Sequence, residues 1–122
     1  MPNDYFGKNK WKLGRRYSPA PTEQATPHDI IWAAGIFEGE GSSRYGAGTE
    51  AACISQNGRW LVERLQALFG GTITQSPGRD FSMWQIYGAR ARGFLQSIYG
   101  LLSPRRQEQI RKALRIDRKS VV

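Results

Sequence analysis

Cysteine and histidine are nearly absent from this sequence, with only Cys53 and His28 among 122 residues. A lone cysteine excludes an intramolecular disulfide framework and a multi-cysteine zinc module, and a lone histidine excludes a two-histidine metal clamp within one chain. No apolar run approaches the roughly 18 residues that would span a bilayer, so no membrane partner is expected. Acids are also scarce: 10 Asp and Glu face 18 Lys and Arg, for a formal net charge of +8. The length allows one ordinary domain and not two. Hydrophobic residues at 39% and aromatics at 11% are enough for a packed core, which excludes wholesale disorder. What remains is a small basic domain suited to a polyanionic partner.

The charge sits at the two ends. Residues 1–16 carry a net +4 and residues 104–119 a net +5, while the stretch between them nets −1. Basic ends around a neutral body fit contact with nucleic-acid phosphates, and solvated tails are the plainer alternative. Residues 1–26 read as a basic arm followed by a Pro-rich linker, and 116–122 as a basic tail. The arm mixes cations with Tyr5, Phe6, Trp11 and Tyr17. A transit peptide ranks second for this segment, because it lacks an apolar signal core and an amphipathic period.

Between the ends, 27–115 reads as one domain. Thr26, Pro27 and Asp29 form an N-cap, a first-turn proline and a capping-box acid for a helix that fails at Gly39 and Gly41. Strands are expected at about 43–48 and 50–56. Asn57 is expected to cap a second helix that ends at Gly70–Gly71. A second strand pair, 71–76 and 81–88, turns at Pro77–Asp80. A third helix follows at about 89–102, and Ser103–Pro104 opens a fourth. The order αββαββαα makes an α+β domain. Trp32, Trp60 and Trp84 read as core residues, Cys53 as a core residue in an apolar strand, and His28 as structural or a DNA contact.

The first helix carries the chemistry. Ile30, Ala33 and Phe37 make one apolar stripe, and Ile31, Gly35 and Gly39 another at spacings of four, with Ala34 beside it. A helix apolar nearly all round is buried on more than one side, either in a monomer's centre or against a second helix. Glu38 and Glu40 bracket Gly39 at its C-terminus, where the dipole disfavours negative charge. They are either surface acids on a turn or ligands of a hard divalent cation, which takes carboxylate and carbonyl oxygens.

Ala33–Ala34–Gly35–Ile36–Phe37–Glu38–Gly39–Glu40–Gly41 resembles the signature of the LAGLIDADG homing endonucleases, in a variant with Glu at both acidic positions. The element order over 27–115 is similar to that family's core as well. The resemblance implies a single-motif homodimer, with motif helices paired through Ile31, Ala34, Gly35 and Glu38 and a four-stranded antiparallel saddle sheet in the DNA major groove. It implies double-strand cleavage of a pseudo-palindromic site with Mg2+ or Mn2+. Glu40 aligns with the acidic metal ligand, with Gly39 beside it in the metal set, and Glu38 with a more peripheral acid. Gln56 resembles a polar residue that organises active-site water. Arg105 or Arg106 stands where relatives carry a basic residue near the scissile phosphate; an Arg there acts by electrostatic stabilisation and not as a proton donor.

Strand alternation puts one sheet face under the helices and the other toward DNA, but parity alone leaves the choice of face open. Arg44, Glu50, Gln75, Arg79, Ser82 and Gln85 are the candidate base or phosphate contacts, with Arg79 at a turn suited to phosphate. Arg111 belongs to a basic face, with Arg105, Arg106, Lys112, Arg115 and Arg118, that tracks DNA backbone or is simply solvated. The leading expectation is an intracellular endonuclease of bacterial, phage or organellar origin; whether its gene lies in an intron is left open by the sequence. The alternative is a non-cleaving maturase that binds intron RNA, or a DNA-binding regulator, on the same fold. A basic nucleic-acid-binding domain of another family is the third.

Overall fold

The structure is a computed structural model that describes residues 18–116 apart from Ser76 and Arg79. The basic arm with Trp11, the C-terminal tail with Arg118, and the Arg79 candidate therefore lie outside the described residues. The element order is α1 (Pro27–Glu40), β1 (Gly41–Gly46), β2 (Thr49–Asn57), α2 (Trp60–Phe69), β3 (Thr72–Gln75), β4 (Phe81–Tyr87), α3 (Gly88–Tyr99) and α4 (Pro104–Leu114). The four strands form one antiparallel sheet in the order β1-β2-β4-β3.

Local chemistry sets the helix ends. Thr26 accepts from the Asp29 N–H at 3.2 Å, and the Asp29 carboxylate accepts from the Thr26 N–H at 2.9 Å, which completes a capping box ahead of Pro27. Ser103 caps α4 ahead of Pro104, its hydroxyl accepting from the Arg106 N–H at 3.3 Å. Three helix ends differ from expectation, and the simplest is that α3 stops at Tyr99, short of the expected 102. Helix α1 runs through Gly39 to Glu40, because α4 supplies partners for its last turn. The N-cap of α2 is Arg59 and not Asn57, since Gly58 turns the chain with φ +81° and postpones the helix.

All four helices lie against one face of the sheet. Ala52 and Ile54 from β2, with Trp84 and Ile86 from β4, meet Phe37, Leu65, Leu95 and Ile98 in a single core. Trp84 is completely buried, and its indole N–H donates to the Gly70 carbonyl at 2.7 Å. Trp60 departs from the core expectation: as the first residue of α2 it is 69% exposed and meets Trp32 edge-on at 6.1 Å. The stretch expected to be a linker is bonded to the body. The Ser18 hydroxyl accepts from the Tyr87 N–H at 2.8 Å, the Pro19 carbonyl from Gly71 at 2.9 Å, and the Ala67 carbonyl from Thr22 and Glu23 at 3.0 Å.

Candidate active site and nucleic-acid interface

The sheet's open face follows from its turns. Ala47 and Gly48 form a two-residue loop, both with positive φ (52° and 82°), the backbone that a type I′ hairpin needs. The loop fixes Gly46 opposite Thr49 and Arg44 opposite Ala51. Even-numbered residues of β1 therefore share a face with odd-numbered residues of β2. Ala52 and Ile54 point into the core, so Ser42, Arg44, Ala51, Cys53, Ser55 and, from β4, Met83, Gln85 and Tyr87 share the uncovered face. Thr72 and Thr74 extend it onto β3. Arg44 is the one charged side chain on this face among the described strand residues.

This register separates the candidate contacts. Arg44 and Gln85 lie on the open face. Glu50 lies on the helical face, where its carboxylate accepts from Arg92 Nε at 2.8 Å. Burial there pushes the Glu50 carboxyl upward, but its backbone hydrogen bond and the Arg92 guanidinium outweigh burial and hold it below the usual carboxylate range. Ser82 is fully buried under the helices. Gln75 also falls on the helical side and accepts from Arg59 Nη1 at 3.0 Å. Arg111 is half-buried against α3, donating to the Tyr99 hydroxyl and to Glu108. Glu50, Ser82, Gln75 and Arg111 are thus turned away from the open face. Cys53, expected in the core, is half-buried on the open side with its sulfur 3.0 Å from Ser42 Oγ.

The end of α1 holds the acids, and they are not equivalent. The Glu38 carboxylate accepts from the Ser103 N–H at 2.9 Å and the Ser103 hydroxyl at 2.7 Å. Those two hydrogen bonds, with Arg106 and Arg105 nearby, hold its carboxyl below the usual range. Arg106 donates through Nε to the Glu38 carbonyl (3.0 Å), and through Nη1 to the Gly41 carbonyl (2.7 Å) and to Gln109 (3.0 Å). Its guanidinium lies 5.8 Å from the centre of the Phe37 ring. Gly41 must be glycine, because a Cβ there would overlap the Phe37 ring. Glu40 is exposed, and its side chain has no hydrogen-bond or ion-pair partner among the described residues. Arg105 is exposed on the first turn of α4.

Gln56 lies on the helical face, two residues along β2 from Ile54, which pairs with Gly41. That places it about 7 Å along the strand from the end of α1. The expected interface residues divide: Ile31 is 56% exposed and a Cβ on Gly35 would meet nothing within 4 Å, so both face outward. Ala34, 2% exposed, packs in the chain's own core, and Glu38 is held by α4, which withdraws both from an outward surface. Sequence reasoning missed Ser103 as the partner of Glu38, and missed Ser42, Cys53 and Met83 on the open face. The two-residue spacing between β1 and β2 was the signal that could have found the latter.

Among the described residues, no three His, Cys, Asp or Glu side chains cluster to form a closed metal site. Glu40 and the neighbouring carbonyls instead supply hard oxygen donors at one open position. That set, one carboxylate with backbone carbonyls, fits part of the oxygen shell that magnesium or manganese takes.

No family model and no curated protein sequence matches this chain. Solved structures do. The homing endonuclease I-CvuI in complex with its target shares the fold with a TM-score of 0.57 at 13% identity, over 68% of this chain and 62% of that one. I-TnaI, another homing endonuclease, gives 0.54 at 19% identity over 70% and 69%. The LAGLIDADG homing endonuclease I-SmaMI bound to cleaved DNA gives 0.51 at 15% identity over 67% of this chain and 33% of its own. The fold of this α+β domain is that of the LAGLIDADG homing endonucleases, as the nine residues at the end of α1 lead one to expect.

Proposed function

We propose that the chain is a site-specific DNA endonuclease, acting as a homodimer and dependent on Mg2+ or Mn2+. The observation that carries this reading is the exposed, unpartnered carboxylate of Glu40, at the C-terminus of a helix whose Ile31 and Gly35 face outward, and beside an uncovered sheet face. Pairing two such helices side by side brings their C-termini, each carrying a Glu40, to the same end of the contact, and the glycine lets the helices approach closely. Support also comes from the neighbours with this fold, which are DNA endonucleases by name.

In this reading Glu40, with the Gly39 carbonyl beside it, holds the cation, and the cation supplies charge stabilisation at the scissile phosphate. Arg105 adds electrostatic stabilisation from the start of α4. Gln56 orders water at the same end of the sheet. Arg44 and Gln85 read base edges, since Arg pairs bidentately with guanine and Gln with adenine. The two chains read the two halves of a pseudo-palindromic target.

The test is Glu40→Gln, assayed on duplexes recovered by selection from a randomised library. Cleavage should be lost while duplex binding in EDTA is retained, and the wild-type protein should sediment as a dimer. Nicking by the variant at the wild-type rate would refute the role of Glu40. Binding without cleavage by the wild-type protein in any divalent metal would point to a regulator.

A further inference from the structure

Arg106 has the composition of a catalytic cation but not its situation. The carbonyls at a helix C-terminus have no partners within the helix, and Arg106 takes that of Glu38 together with that of the capping residue Gly41, with one planar side chain. These carbonyls bracket Gly39 and Glu40. The other side of the same turn is tied by the Glu38 carboxylate to the Ser103 N–H and hydroxyl. Phe37 stands under the guanidinium, and Gln109 orients its Nη1. The backbone that carries the free carboxylate is thus fastened at both ends to the first turn of α4.

We infer that Arg106 is a positioning residue, which sets the direction of the Glu40 carboxylate and the Gly39 carbonyl toward the metal by clasping the peptides around them. Arg105, exposed one residue earlier, is then the cation left for the phosphate. The inference rests on the endonuclease reading and assigns two neighbouring arginines different work within it. A fork of fixed geometry can hold two carbonyls at a set separation. An ammonium group carries the same charge, but as a point donor it cannot reproduce that bridge.

The experiment compares Arg106→Lys, Arg106→Met and Arg105→Met in Mn2+ titrations of the protein–DNA complex followed by electron paramagnetic resonance, with Glu40→Gln as the zero. Both Arg106 variants should weaken Mn2+ binding about tenfold, with duplex affinity in EDTA within twofold of wild type. Saturating Mn2+ should restore most of their cleavage rate. Arg105→Met should keep its Mn2+ affinity and lose maximal rate. If Arg106→Lys matches wild type in Mn2+ affinity, charge and not the clasp is what matters, and the inference is overturned. Arg106→Lys also serves if the Met variant fails to fold. If wild-type protein binds no Mn2+ in a Glu40-dependent way, the endonuclease reading itself fails, which is a separate outcome.

Discussion

Removing the Arg44 side chain should erase one base preference per half-site and leave the rest of the recognition profile in place. Arg44 lies on edge strand β1, opposite Ala51 and in the cross-strand row that ends at Tyr87. Gly46 and Ala51 line the cleft beside it, with Tyr87 at its far side, so the residues next to the guanidinium are small. A bidentate arginine–guanine contact is worth about 1–3 kcal/mol of discrimination. Arg44→Ala should therefore lower the preference for guanine at one position by about 5- to 150-fold. In a homodimer the loss appears at two symmetric positions. The assay is sequencing of cleaved molecules from a randomised duplex library, at one fixed salt concentration, for wild type and variant. Glu50→Gln and Ser82→Ala are the controls: both side chains face the helices, so their profiles should match wild type. An arginine that touches only phosphate would instead weaken all sequences alike and reduce the salt slope by about one. That result, or a profile shift in the Ser82 control, would refute the assignment of faces.

The ionisation of Glu38 gives a second prediction. Its folded pKa lies below the ordinary 4.5, so the stabilisation is present above that value and lost as pH falls through the folded pKa. The difference in Tm between wild type and Glu38→Gln should thus be largest near neutrality and shrink below about pH 4.5; a difference independent of pH would show that the Ser103 bonds do not favour the charged form. Gly35→Ala supplies a third. In a monomer the change should stabilise α1 by about 1 kcal/mol, since alanine is the better helix former and its Cβ would meet nothing within 4 Å. In a dimer paired through this ridge the methyl should hold the helices apart, so sedimentation at falling concentration should show earlier dissociation, and unchanged association would exclude the ridge as the contact.

The caps of α1 and α4 were legible in the sequence, and that of α2 was not. Thr26–Pro27–Asp29 and Ser103–Pro104 open α1 and α4 as their residue types require. Such signals are contained within four residues, which is why they survive without tertiary information. The extension of α1 past Gly39 was not legible, because the groups that sustain it, Ser103 and Arg106, lie more than sixty residues away in sequence. Face assignment stayed open in the sequence for a different reason. Parity carries across a hairpin only for a known loop length, and the two-residue Ala47–Gly48 turn, which parts Glu50 from Arg44, shows itself only in the strand register. Trp60 shows the limit of composition: tryptophan is usually buried, but the first residue of a helix opened by Gly58 points where the turn sends it.

The contrast between Glu38 and Glu40 is where fold and chemistry meet. Two residues along a helix is a rotation of about 200°, so the two carboxylates leave α1 on nearly opposite sides. One side is covered by α4, and there Ser103 and Arg106 compensate the charge that the helix dipole disfavours. The other side is open, and the Glu40 carboxylate stands at the negative end of the dipole with no partner among the described residues. A helix selected only for stability would place a neutral or basic residue there. The same turn includes the Gly41 that Phe37 requires and a clasp that leaves the last peptides little freedom. Rigid backbone beneath an uncompensated carboxylate is an unfavourable arrangement for a free chain. It becomes favourable when a cation arrives, because the dipole, the carboxylate and the free carbonyls then all have the sign that the cation needs. The cost borne by the isolated chain is therefore the physical reason to look for the metal at Glu40 and not at Glu38.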